Sequence, residues 1–214
     1  MNEKIFKKYS FHISPSDIDL TQFMGRYHFD EKDRPLILSA GGFLAELLPV
    51  KAGIRYEKDR ALCTATLSEK YDRLLDLCEE DEEKNLLLAF AMECFAMELL
   101  SKGYERMNEA VHEETGRWLG TYHFLSEPAP CPELNITLKN GMLYPSKSVV
   151  FTAAYVDGKD DKGCHSCDTC TNTGCLFRQE IRKREEEMKK REQGLAQSAA
   201  YSYGVSRVFG GAVK

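Results

Sequence analysis

The chain has 214 residues, a net charge of −5 and 43% hydrophobic content, enough to bury the core of one medium-sized domain with an appendage. Its basic residues are interleaved with acids, so no sustained positive field is offered to nucleic acid. No apolar run reaches the roughly 20 residues that a membrane helix requires. The opening stretch MNEKIFKKYSFHISPSD lacks the apolar core of a signal peptide, and the expectation is a cytoplasmic protein with reduced thiols.

Residues 1 to 35 read as polar and irregular, with SPSDID as an N-cap signal before a short helix around Leu20 to Met24. In the following PLILSAGGFLAELLPVKAGIRYEKD, the Gly41-Gly42 pair interrupts an apolar stretch, which leaves strand-turn-helix and a single broken helix both open. The segment ALCTATLSEKYDRLLDL starts with β-favouring residues and turns helical after Ser68, predicting a strand followed by a helix.

Leu86 to Leu100, LLLAFAMECFAMELL, carries only Glu93 and Glu98 as charges and predicts a central helix buried on most of its circumference. The two carboxylates stand about 140° apart on a helix of 3.6 residues per turn, so they do not form an acid/base pair on one face. A buried glutamate needs a partner, and the expectation is a structural pairing with an arginine, with a ligand contact as the alternative. Cys94, in the same helix, reads as a small buried hydrophobe.

Further on, NITL and SVVFTAAYV read as strands separated by an Asn140-Gly141 turn and an MLYPSK loop. Prolines and glycines set among Arg, Tyr, Ser and Lys make rigid polar loops on a sheet scaffold, a usual setting for a binding site.

CHSCDTCTNTGC then places Cys164, Cys167, Cys170 and Cys175 in a C-x2-C-x2-C-x4-C pattern. Soft thiolates converging within a dozen residues suit a metal centre, and this close spacing favours a [4Fe-4S] cluster, with zinc as the alternative. A metal-free cysteine loop or paired disulfides is the remaining reading. RQEIRKREEEMKKREQG follows, with acid-to-base pairs four residues apart such as Glu180/Arg184 and Glu187/Arg191, and predicts a solvated helix. The last twenty residues are rich in Gly, Ala and Ser and read as a flexible or docking tail.

Four segments in order, MECFAM at Met92 to Met97, RWLGTY at Arg117 to Tyr122, PAPCPE at Pro128 to Glu133 and MLYPSKSV at Met142 to Val149, resemble a known pattern. With the CLFR end of the cysteine segment, they resemble the activation domain of vitamin B12-dependent methionine synthase in its free-standing anaerobe form, across about 90 residues. The departures are Thr121 where the family has Gly before its Tyr, Met97 in place of the second helix acid, and Ala153-Ala154 in place of an aromatic pair, with Tyr155 adjacent. The first 60 residues show no match.

The resemblance implies reductive reactivation of cobalamin: an inactive Co(II) centre takes one electron and is trapped by a methyl group from S-adenosylmethionine. It implies that Arg117 binds the methionine carboxylate, that Tyr122 encloses the ligand, that the loop carrying Tyr144, Lys147 and Ser148 lines the same cleft, and that Glu93 supports it. The partner would be a cobalamin-binding protein such as methionine synthase, and an iron–sulfur cluster would deliver the electron. The alternative is a non-catalytic metal-binding interaction module on the same scaffold. The fold expected is α+β, an antiparallel twisted sheet packed with helices, with residues 1–158 as the activation-like domain, 159–178 as the metal loop and 179–214 as a charged helix and tail.

Overall fold

The computed structural model describes residues 5–79, 86–125 and 129–159. These all belong to one compact unit, Met1–Ser166. The cysteine loop, the charged helix and the tail expected from the sequence lie outside the described residues.

A five-stranded antiparallel sheet has the spatial order β1 (Ile5–Phe11), β2 (Val50–Tyr56), β3 (Arg60–Thr66), β7 (Ser148–Val156) and β4 (Trp118–Phe124). Among the described residues four α-helices accompany it: α1 (Leu20–Tyr27), α2 (Arg34–Leu47), α3 (Glu69–Glu79) and the long α4 (Leu86–Thr115). A small hairpin of β5 (Thr137–Lys139) and β6 (Met142–Tyr144) completes the α+β arrangement expected from the sequence. None of the described helices is long and apolar enough to cross a membrane.

Period-two alternation assigns the sheet its two faces. Val50, Ala52 and Ile54 of β2 and Ala61, Cys63 and Ala65 of β3 are buried on the side that carries α4. Helix and sheet approach closely at Gly103, where a Cβ would lie 2.6 Å from Val50 Cγ1. Tyr104 adds an edge-on contact with Phe151 of β7 at 5.5 Å. The opposite face is covered by a smaller cluster of Cys131, Leu134 and Ile136, with Phe6 and Leu143 packed against it.

Several elements differ from the sequence reading. The first 35 residues contain β1, an edge strand whose Lys7 and Lys8 masked its alternation. The Gly41-Gly42 pair does not break α2, which runs continuously through it. Phe95 of α4 occupies the space that a side chain at 41 would need. Helix α1 runs on to Tyr27, with Asp19 capping its start by accepting from Gln22 N at 3.0 Å, and α4 continues to Thr115. The RWLGTY segment, not named as a strand in the sequence reading, forms most of β4, with a bulge between Leu119 and Tyr122. The first three residues of MLYPSK are β6, closed onto β5 by Asn140 and Gly141, both with positive φ.

Candidate functional site

The candidate residues divide between the two ends of β7. At its start, the YPSKS segment is fastened on three sides. Lys147 pairs with Glu93 of α4, and the Tyr71 hydroxyl of α3 donates to the same carboxylate at 2.6 Å. The Lys147 carbonyl accepts from Leu67 N at 3.1 Å, and Asp72 Oδ1 accepts from Ser146 N at 3.0 Å. Ser148 Oγ lies 2.8 Å from Thr66 Oγ1, which also accepts from Ser68 N at 3.1 Å. Tyr71 is fully buried, and burial together with the Glu93 carboxylate raises its phenol above the ordinary range. Glu93 and Lys147 keep side-chain exposures of 38% and 17%, so this ion pair forms part of the surface at the edge of the core.

Tyr144 sits just before the cis Tyr144-Pro145 bond, its ring faced by Lys139 Nζ at 3.1 Å from the centroid. Sequence reasoning found Glu93, Tyr144, Lys147 and Ser148 but not Tyr71, Asp72 or Thr66, which become partners only when β3 and α3 fold beside β7.

At the far end of β7, the Arg117 guanidinium lies over the Tyr155 ring, 4.3 Å from its centroid. Among the described residues no carboxylate lies within ion-pair distance of it. The turn from α4 into β4 is held by Thr115 Oγ1, which donates to Val111 O at 2.8 Å and accepts from Arg117 N at 3.2 Å. Asn108 Oδ1 accepts from Leu119 N at 2.7 Å. Beside Arg117, Trp118 stacks on His112 at 3.9 Å and 8°, and Lys159 Nζ lies 5.0 Å from the same indole. His112 Nδ1 and the Tyr155 hydroxyl are buried and have no hydrogen-bond partner among the described residues. Trp118, the sole tryptophan, adjoins Arg117, a signal that sequence reading could have used.

Ser148 and Tyr155 are seven residue steps apart on β7, about 23 Å at 3.3 Å per residue. Arg117 and the Lys147–Ser148 segment, expected to line one cleft, therefore stand at opposite ends of β7. Tyr122 lies between the two ends, paired with Ala153, but its ring is buried against Phe151 at 4.6 Å and edge-on to Tyr104 at 6.2 Å. It belongs to the core beneath α4.

Glu98 has the structural role expected of it. It pairs with Arg26 of α1 and accepts from the Tyr27 hydroxyl at 3.3 Å. Cys94 is buried as expected, and burial, with Glu93 and Glu98 nearby, pushes its thiol up to about 12. Cys164, Cys167, Cys170 and Cys175 lie outside the described residues. Among the described residues no group of three or more His, Cys, Asp or Glu side chains is placed to hold a metal ion. No family model and no curated protein matches this sequence.

Proposed function

We propose that the chain reactivates a cobalamin-dependent methyltransferase, in the manner of a methionine synthase activation domain, and binds S-adenosylmethionine at the Arg117 end of the sheet. The observation that carries this reading is the Arg117 guanidinium, free of carboxylates among the described residues and lying over the Tyr155 ring, 4.3 Å from its centroid. Contact with the ring uses none of the guanidinium N–H groups, which stay available for a bidentate bond to a carboxylate such as that of a methionine moiety. Tyr155 supplies an aromatic surface beside the Ala153-Ala154 positions, where the family has its aromatic pair. At the other end, Glu93 and Tyr71 hold Lys147, and with it the YPSKS segment, in one position against α4.

S-adenosylmethionine would supply the methyl group, and the cobalamin would be presented by a partner such as methionine synthase. Cys164, Cys167, Cys170 and Cys175 would hold a [4Fe-4S] cluster, or zinc in the alternative, in a reducing cytoplasmic setting. Only a cluster can pass an electron, since zinc has no redox chemistry in proteins.

A second reading, a metal-binding interaction module that has lost the ligand site, is favoured by the alanines at 153 and 154 and by the separation of Lys147 from Arg117. Calorimetric titration with S-adenosylmethionine decides between the two. Saturable binding that Arg117→Lys weakens at least about tenfold supports the first, because a lysine cannot reproduce the bidentate fork. Absence of binding leaves the second. An anaerobic assay with cob(II)alamin on a methyltransferase, a low-potential reductant and S-adenosylmethionine should then give methylcobalamin only when this chain is present.

A further inference from the structure

The tip of the β5–β6 hairpin takes no part in the function proposed above. Asn140 and Gly141 form its two-residue turn, both exposed and both at positive φ, 51° and 79°. An asparagine followed by glycine carries its own chemistry. The side-chain carboxamide is an electrophile, and the next backbone nitrogen is a nucleophile with no side chain to shield it. Among the described residues neither Gly141 N nor the Asn140 carboxamide takes a hydrogen bond. The strands on either side are three residues each, and every residue of β5 is exposed. Such a short ribbon opens by local fluctuation, which frees the turn to bring the two groups into contact.

The two other described asparagines lack this combination. Asn135 has the same left-handed backbone, with φ at 59°, but the next residue is the fully buried Ile136. Its nitrogen donates to Cys131 O at 3.0 Å and is shielded by a branched side chain. Asn108 lies within α4, and its Oδ1 accepts from Leu119 N at 2.7 Å.

We propose that Asn140 is a self-modifying site whose conversion to isoaspartate unlocks the β5–β6 hairpin. Gly141 N loses its proton and attacks Asn140 Cγ, forming a C–N bond; the Cγ–Nδ2 bond breaks, and ammonia leaves with that proton. One water then opens the five-membered imide. Cleavage of the new Cγ–N bond gives aspartate with the normal backbone. Cleavage of the bond to the α-carbonyl carbon gives isoaspartate, whose main chain runs through the side chain. Isoaspartate therefore adds one carbon to a turn whose length fixes the pairing of Lys139 with Met142, Leu138 with Leu143 and Thr137 with Tyr144. Loss of that register releases Leu143 from the cluster of Cys131, Leu134 and Ile136. It also parts Tyr144, the first residue of the YPSKS segment, from Lys139.

Incubation of the full chain in mildly alkaline buffer tests this, followed by peptide mapping that separates isoaspartyl from aspartyl peptides. The peptide holding Asn140 should gain the mass of an amide-to-acid change at least about tenfold faster than those holding Asn108 and Asn135, with isoaspartate among its products. The melting temperature of the incubated protein should fall by at least about 2 °C. Asn140→Gly keeps a turn of the same type without the amide, so its melting temperature should hold through the same incubation. Asn140→Asp, the unrearranged product, should melt as the fresh protein does. Equal rates at the three asparagines, or aspartate as the sole product at 140, overturn the site. A melting temperature that holds despite isoaspartate at 140, or that falls equally in Asn140→Gly, overturns the unlocking.

Discussion

Replacing Arg26 by Met should remove about 3–5 kcal/mol of stability, the range found when a buried ion pair loses one partner. Arg26 and Glu98 have side-chain exposures of only 15% and 10%, and the pair ties α1 to the middle of α4. Without the guanidinium, Glu98 keeps the Tyr27 hydroxyl but carries its charge in a site closed to water on most sides. For an m-value of about 2 kcal/mol/M the urea midpoint should fall by about 1.5–2.5 M with the slope unchanged. Replacing both partners by apolar residues, Arg26→Met with Glu98→Leu, should restore most of the loss, because no buried charge then remains unpaired. The measurement is a double-mutant cycle by urea denaturation. A loss below about 1 kcal/mol for the single change, or a double variant no more stable than Arg26→Met, would refute the assignment of this pair as the α1–α4 clasp.

The adjacent glycines of α2 should respond with opposite signs. Gly41→Ala places a methyl group against the Phe95 ring and should cost about 1–3 kcal/mol. Gly42→Ala meets open space and should add about 0.5–1 kcal/mol, read by thermal melts of dilute protein. His28 is exposed and ends α1 with φ at 58°, so His28→Gly should relieve left-handed strain and raise stability by about 0.5–1 kcal/mol in chemical denaturation. Burial holds the Cys63 and Cys94 thiols above their ordinary value of 9.0, Cys94 at about 12. The folded state therefore binds these protons more tightly than the unfolded chain. The associated stability should be complete below about pH 9 and decline progressively toward pH 12, as followed by the urea midpoint across that interval.

Legibility followed the range of the forces involved. The strand-then-helix of 60–79, the apolar α4 and the Asn140-Gly141 turn are fixed by residues within a turn or two, and each was readable from local pattern. The edge strand β1 was not, because an edge exposed to solvent tolerates Lys7 and Lys8 and carries a weak alternation. The continuity of α2 across two glycines was not, because Phe95 compensates for them from more than fifty residues away. In the candidate site, residue types marked Glu93 as a group that needs a partner, expected to be an arginine, whereas the structure pairs it with Lys147 and Tyr71. Tyr71, which joins Lys147 on Glu93, and Tyr155, which lies under Arg117, are ordinary aromatics in the sequence. The resemblance implies one cleft, and the distance along β7 between its candidate residues is not legible in a linear pattern of motifs.

The position of β7 also governs the order in which this protein can be made. It is the last described strand to emerge, and it is inserted between β3 and β4, neither of which can complete its sheet contacts without it. Thr66 and Ser148, bonded across that junction, are 82 residues apart in sequence. While those residues are being synthesised, β3 presents an unpaired edge to the surrounding solution, and β4 has no neighbour at all. Loop closure over such a span is slow compared with helix formation, so folding should wait on this one strand. A nascent chain halted before Ser148 would expose the kind of open strand edge that recruits other chains, making that interval the most aggregation-prone moment in the life of the molecule.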